Sequence, residues 1–135
     1  MNLTTKKVNA FNLQELLVVL VIIGILLLLA VPKLMPLISK TKSIEAQTQL
    51  KHLHSLQRQH FYIHSSYSAD FMELGFEAPP TVAENGNANY VFEITHATNH
   101  EFIATATAIT DFDGDGVFNI WQVDHHLKLK EIVRD

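Results

Sequence analysis

The sequence predicts an α+β chain in which one long N-terminal helix packs on a small antiparallel β-sheet head. Three features carry that expectation. Leu16 to Val31 is an unbroken apolar block without a polar face. Beyond it, Ile38, Ile44, Leu50, Leu53, Leu56 and Phe61 recur at roughly helical spacing among Lys, Gln, Thr and His, so the helix continues as an amphipathic half to about Ile63. Finally, Tyr90–Thr95, Phe102–Ile109 and Val117–Val123 alternate as half-buried strands do, with a fourth candidate from Leu127 to Val133, and Asn99 and an Asp-Gly stretch separate them as turns.

The 135 residues leave room for one modest folded domain once the apolar segment is set aside. There is no cysteine, so neither a disulfide nor thiol chemistry is available. The net charge of −4 is unevenly spread. Residues 1–65 carry seven Lys/Arg against Glu15 and Glu45, a balance of +5, whereas residues 66–135 carry three against twelve acids, a balance of −9. An acidic C-terminal half repels nucleic acid and attracts cations.

With Phe11, Leu13 and Leu34 added, the apolar block reaches a length that spans a bilayer. A secretory signal peptide is the competing reading, but the apolar stretch is too long and no small-x-small cleavage site precedes Pro32. Orientation is not set by charge, because Lys6 and Lys7 before the block are matched by Lys33, Lys40 and Lys42 after it. Gly24, Pro32 and Pro36 are positions where the helix can bend. Glu15 stands at the mouth of the block, where hydrocarbon cannot solvate a carboxylate, and such an acid usually has a function.

The run Lys6-Lys7-Val8-Asn9-Ala10-Phe11-Asn12-Leu13-Gln14-Glu15 resembles the N-terminus of type IV prepilins and of the pseudopilins of type II secretion. The small-residue–Phe junction, the acid, Gly24 and Pro32 agree in register, although Ala10 stands where most members have Gly. The resemblance implies a type IV pilin-like fold with a leader over 1–10, a transmembrane and filament-core helix over 11–34, an amphipathic helix over 35–63 and a globular head over 64–135. It also implies cleavage between Ala10 and Phe11 by a prepilin peptidase and N-methylation of Phe11. A single-pass precursor of the bacterial inner membrane, with its leader in the cytoplasm, would then polymerise with copies of itself through pilus or secretion assembly machinery. Glu15 would meet the new amine of Phe11 on a neighbouring subunit and fix axial register. The product would be an extracellular pilus, or a periplasmic pseudopilus if the chain is a type II secretion pseudopilin. A minor pilin acting in adhesion or DNA binding is a second class; the acidic head argues against DNA, while Lys33, Lys40, Lys42, Lys51 and Arg58 leave it an opening. An ordinary single-pass protein with an idle Glu15 is a third.

His64-Ser65-Ser66-Tyr67 opens a loop, and the string from Phe61-Tyr62 through Tyr67 to Leu74-Gly75-Phe76 resembles the helix-to-loop passage of many pilins and pseudopilins, where aromatics close the head and a short helical turn ends at Leu-Gly-Phe. Pro79-Pro80 and Asn85-Gly86-Asn87 continue that loop.

Asp111, Asp113 and Asp115 alternate around Gly114 and match the first half of an EF-hand-type calcium loop. The second half departs from it. Gln122 replaces the bidentate Glu, Asn119 takes the ninth position, Val117 offers its backbone carbonyl, and Asp124 is a spare carboxylate. Losing the bidentate acid weakens a Ca2+ site toward roughly 10⁻⁴–10⁻³ M. With strands on both sides, the expectation is a structural calcium loop outside an EF-hand, as some pilin-like proteins have here. A plain Asp/Gly hairpin turn is the alternative.

His60 and His64 lie four apart and His125-His126 are adjacent, but no further ligand stands at a spacing that supports zinc. There is neither a Gly-x-Ser-x-Gly nucleophile motif nor a phosphate-binding glycine loop, which argues against an enzyme.

Overall fold

A computed structural model describes residues 10–135. Of the expected leader only Ala10 is among them; Lys6 and Lys7 lie outside the described residues. The element order is α1 (Leu13–His64), α2 (Phe71–Leu74), a 3₁₀ turn (Val82–Glu84), then β1 (Tyr90–Ala97), β2 (Phe102–Ala108), β3 (Ile120–Asp124) and β4 (Leu129–Val133). One long helix and a four-stranded antiparallel sheet in the order β1-β2-β3-β4 make the α+β, pilin-like architecture expected from sequence.

Helix α1 continues through Gly24, Pro32 and Pro36. Neither proline has an N–H, so the carbonyls of Leu28 and Pro32 lose their i+4 donors, a local weakness in the ladder. The chain divides into two compact units at this place, one ending at Leu34 and the other spanning Met35–Asp135. In the first unit every described residue is exposed, although nearly all are apolar from Leu16 to Val31.

In the second unit, α1 buries Ser39, Ser43, Ala46, Leu50, Leu53, His54 and Gln57 against the sheet. This face differs from the expected one. Leu50 and Leu53 are fully buried and Leu56 packs on the core, but Ile38 and Ile44 remain 47% and 59% exposed. The helix turns a partly hydroxylic face inward because the sheet side offers hydrogen-bond partners there. Ser39 Oγ donates to the Asp135 carbonyl (3.0 Å), and Ser43 Oγ is shared between the Ser39 carbonyl (3.0 Å) and Asn119 Oδ1 (3.4 Å). On the facing side, β2 alternates Phe102, Ala104, Ala106 and Ala108 inward. Tyr90, Phe92 and Val123 complete the layer.

Between helix and sheet, Ser65 takes a left-handed conformation (φ 53°) and ends α1. Asp70 then caps α2 by accepting from the Met72 N–H (2.8 Å). The Gly75 and Phe76 N–H groups return to the carbonyls of Met72 and Phe71, a Schellman ending at the expected Leu-Gly-Phe. Glu45 of α1 ties down the following loop by accepting from both the backbone and side-chain amides of Asn89 (2.9 Å each).

Strand β3 begins at Ile120 rather than Val117, because Val117 and Asn119 have other engagements. The Val117 N–H donates to Asp115 Oδ1 (2.7 Å), and the Asn119 side chain turns into the core. Strand β4 likewise begins at Leu129; Leu127 lies in the preceding turn with φ 61°.

Candidate functional site

Two regions carry the residues singled out from sequence. The first is the mouth of α1. Residues 10–12 are exposed and non-helical, so the Ala10–Phe11 peptide is accessible, and Phe11 is 88% exposed. At the helix start the Asn12 N–H donates to Glu15 Oε2 (3.0 Å), while the Asn12 carbonyl accepts from Glu15 N and Leu16 N. Glu15 is thus the third helical residue of a capping arrangement, and its carboxylate lies at the positive end of the helix dipole. The Asn-x-x-Glu spacing of Asn12 and Glu15 held that signal, which the reading of Glu15 as an acid facing hydrocarbon passed over.

The second region is the β2–β3 loop. Gly114 (φ 84°) and Gly116 (φ 87°) have left-handed backbone conformations that a side chain would strain. Those two turns aim N–H groups at Asp111: Gly114 N donates to Oδ1 (2.6 Å) and Gly116 N to Oδ2 (2.7 Å). The Gly116 and Gly114 bonds hold the Asp111 carboxyl below its ordinary pKa. Asp113 and Asp115 accept from the N–H two residues on, at 3.0 and 2.7 Å. For Asp113 the Asp115 N–H bond also acts to lower the pKa, but lost solvation and the charges of Asp115, Asp135 and Asp111 outweigh it and the pKa is raised.

The fourth member of this cluster is Asp135. Ligand-capable oxygens of Asp111, Asp113, Asp115 and Asp135 all lie within 4.8 Å of one another. Asp135 Oδ2 accepts from the Phe112 N–H (2.9 Å), whereas Oδ1 is buried without a hydrogen-bond partner. An orphaned carboxylate oxygen on a residue clustered with three further carboxylates is costly unless a cation joins them. Hard oxygen donors in this arrangement fit calcium.

The membership of this cluster differs from the ligand set expected from sequence. Asp124 lies at the far end of β3, about 13 Å along the strand from Ile120, and its Oδ1 caps the β3–β4 turn by accepting from His126 N (3.0 Å) and Lys128 N (2.9 Å). Gln122 sits in mid-strand opposite Thr105 and Lys130. Val117 remains beside the cluster through its N–H bond to Asp115. Asn119 faces inward instead: its Oδ1 accepts from Tyr90 Oη (2.8 Å) and Ser43, and its Nδ2 donates to Glu131 Oε1 (2.8 Å) and the Val133 carbonyl (3.0 Å). Asp135 reaches the loop through the β3–β4 hairpin, whose register sets Ile120 opposite Val133 and returns the end of the chain beside residues 111–119.

Over 89 residues, 66% of its length, the chain is 38% identical to the type IV major pilin protein PilA of Myxococcus xanthus (strain DK1622). The chain is similar in sequence to a type IV pilin and shares the pilin-like architecture. The matched part spans 38% of the relative's own length, so most of that pilin has no counterpart in the match. No family model matches the chain. Within a pilin-type architecture, α1 supplies the single helix among the described residues that is long and apolar enough to cross a membrane. The Asp-rich loop connects β2 and β3, well along the chain from that helical segment.

Proposed function

We propose that the protein is a structural subunit of a type IV pilus-like filament. One observation carries this reading: an apolar helical segment with every side chain exposed is joined in one chain to a head with its own closed core. That surface needs hydrocarbon or other apolar helices around it. A membrane supplies the first before assembly and neighbouring subunits supply the second afterwards. In this reading a prepilin peptidase of the inner membrane cuts the exposed Ala10–Phe11 bond and the new Phe11 amine is methylated. Glu15 exchanges its internal bond to the Asn12 N–H for the Phe11 amine of an adjacent subunit, because the cut frees a cation at the same depth. Gly24, Pro32 and Pro36 are where the helix yields as subunits pack.

In the head, Asp111, Asp113, Asp115 and Asp135 hold calcium, with Val117 contributing its carbonyl. The ion neutralises mutually repelling carboxylates and ties the end of the chain to the β2–β3 loop, the part a disulfide would otherwise secure. Asp135 is also bonded through its carbonyl to Ser39, so the same fastening reaches α1.

Immunogold electron microscopy of native cells tests the filament reading. Labelled surface filaments support a pilus subunit, labelled periplasmic fibres the alternative of a type II secretion pseudopilin, and label confined to membranes contradicts both.

A further inference from the structure

We propose that His60, His64 and Glu73 form a site for a divalent transition-metal ion of the zinc class, separate from the Asp-rich loop. In the sequence the two histidines lack a third ligand. The fold supplies one, because the turn after α1 brings α2 back against the end of the helix and sets Glu73 Oε2 4.0 Å from His60 Nε2. Zinc bonds imidazole nitrogen and carboxylate oxygen at about 2.0–2.2 Å each, so a single ion can touch both atoms across such a gap. Glu73 is 61% exposed and free to close it further, while His60 is held at 13% exposure. The His64 ring lies beside that of His60 on the last turn of α1, with centroids 4.3 Å apart and planes tilted by 33°. Its exposed side chain has to turn about its own torsions to bring a nitrogen to the ion.

The protonation pattern favours ligation. His60 Nδ1 lies 2.8 Å from the Ser66 carbonyl, which can only accept, so Nδ1 carries the proton and the neutral ring keeps its lone pair on Nε2, towards Glu73. Ser68 Oγ in turn donates to Glu73 Oε2 (2.5 Å). Each of these two donors is therefore oriented by a partner outside the ligand set, as protein metal ligands usually are. His60, His64, Ser66 and Glu73 line one open pocket of about 390 Å³, which leaves room for water to complete the coordination. Two imidazoles and one carboxylate suit Zn2+, Cu2+ or Ni2+ better than calcium, which takes oxygen ligands throughout.

The full chain, purified in detergent and kept in excess Ca2+ to occupy the Asp-rich loop, is titrated with Zn2+ by calorimetry and with Cu2+ by electron paramagnetic resonance. One strong Zn2+ per chain is expected, with a two-nitrogen Cu2+ signature that becomes one-nitrogen in His64→Ala. The Kd for Zn2+ rises at least tenfold in His64→Ala and in Glu73→Gln and less in Ser68→Ala, whereas His126→Ala and Asp113→Asn bind as the native chain does. Failure of the native chain to bind Zn2+, or native affinity in both His64→Ala and Glu73→Gln, overturns the proposal. His64 is exposed, so His64→Ala decides the matter alone if Glu73→Gln disturbs the turn.

Discussion

Asn119 and Asp135 are two of the residues that join the sheet to α1. Asn119 is fully buried and makes four hydrogen bonds, to Ser43 of α1, Tyr90 of β1, and Glu131 and Val133 of β4. Replacing it with Ala strands several of these groups. With about 1–3 kcal/mol for each unsatisfied buried group and some relaxation, Asn119→Ala should lose about 3 kcal/mol, measurable by thermal unfolding in detergent. Burial pushes the Tyr90 hydroxyl up to about 12 from its ordinary value near 10. Because the folded value is raised, the neutral-tyrosine contribution is complete below pH 10 and lost as pH climbs through 12. An alkaline unfolding limb in that window should therefore be shallower in Tyr90→Phe, as a pH series of melting curves would show. For Asp135 the expectation concerns calcium. At free Ca2+ a hundredfold above its Kd, chelation should remove about 2.7 kcal/mol of stability. Asp135→Asn should abolish most of that difference, and an equal chelator effect in native and variant chains would remove Asp135 from the site. The clustering of Asp111, Asp113 and Asp115 was legible in sequence because their spacing is local. Asp135 was not, since its place depends on the register of a hairpin, and Gln122 and Asp124 were favoured only for their nearness along the chain.

At the level of elements, periodicity located α1 and all four strands but not the face that α1 buries. Hydrophobicity pointed to Ile38 and Ile44, whereas the helix turns Ser39 and Ser43 inward, where Asn119 and the chain end accept their hydroxyl protons. Polar complementarity across layers has no periodic signature in a single chain. The distinction has consequences. Leu53→Ala, at a fully buried position, should cost about 2–5 kcal/mol of head stability. Ile44→Ala should change it by no more than about 0.5 kcal/mol, so any loss of filaments in that variant would report on packing between subunits. The β2–β3 connection shows the same limit of pattern reading. Alternation suggested a strand from Val117, but the Asp115 side chain captures the Val117 N–H and delays β3 to Ile120. The turn at Leu-Gly-Phe, by contrast, was readable because capping chemistry is local: Asp70 opens α2 and Gly75, at φ 66°, closes it.

For the molecule as a whole, the division at Leu34–Met35 separates a segment that cannot remain bare in water from a head whose core is complete without it. Glu15 links the two states of that segment. In the single chain its carboxylate is occupied by the Asn12 N–H; in the filament we propose, the amine of a cleaved neighbour takes that place as a stronger, charged donor. Glu15→Gln keeps an acceptor for the Asn12 N–H but loses the charge, so the head should melt as in the native chain while filaments become scarce by electron microscopy. Normal filament yield in that variant would remove Glu15 from assembly. All of this depends on release of the Phe11 amine. The most direct measurement is intact-mass spectrometry of the protein purified from its native cells. A mature chain that begins at N-methylated Phe11 is the result expected of a filament subunit, and a population that retains Met1 throughout would contradict it.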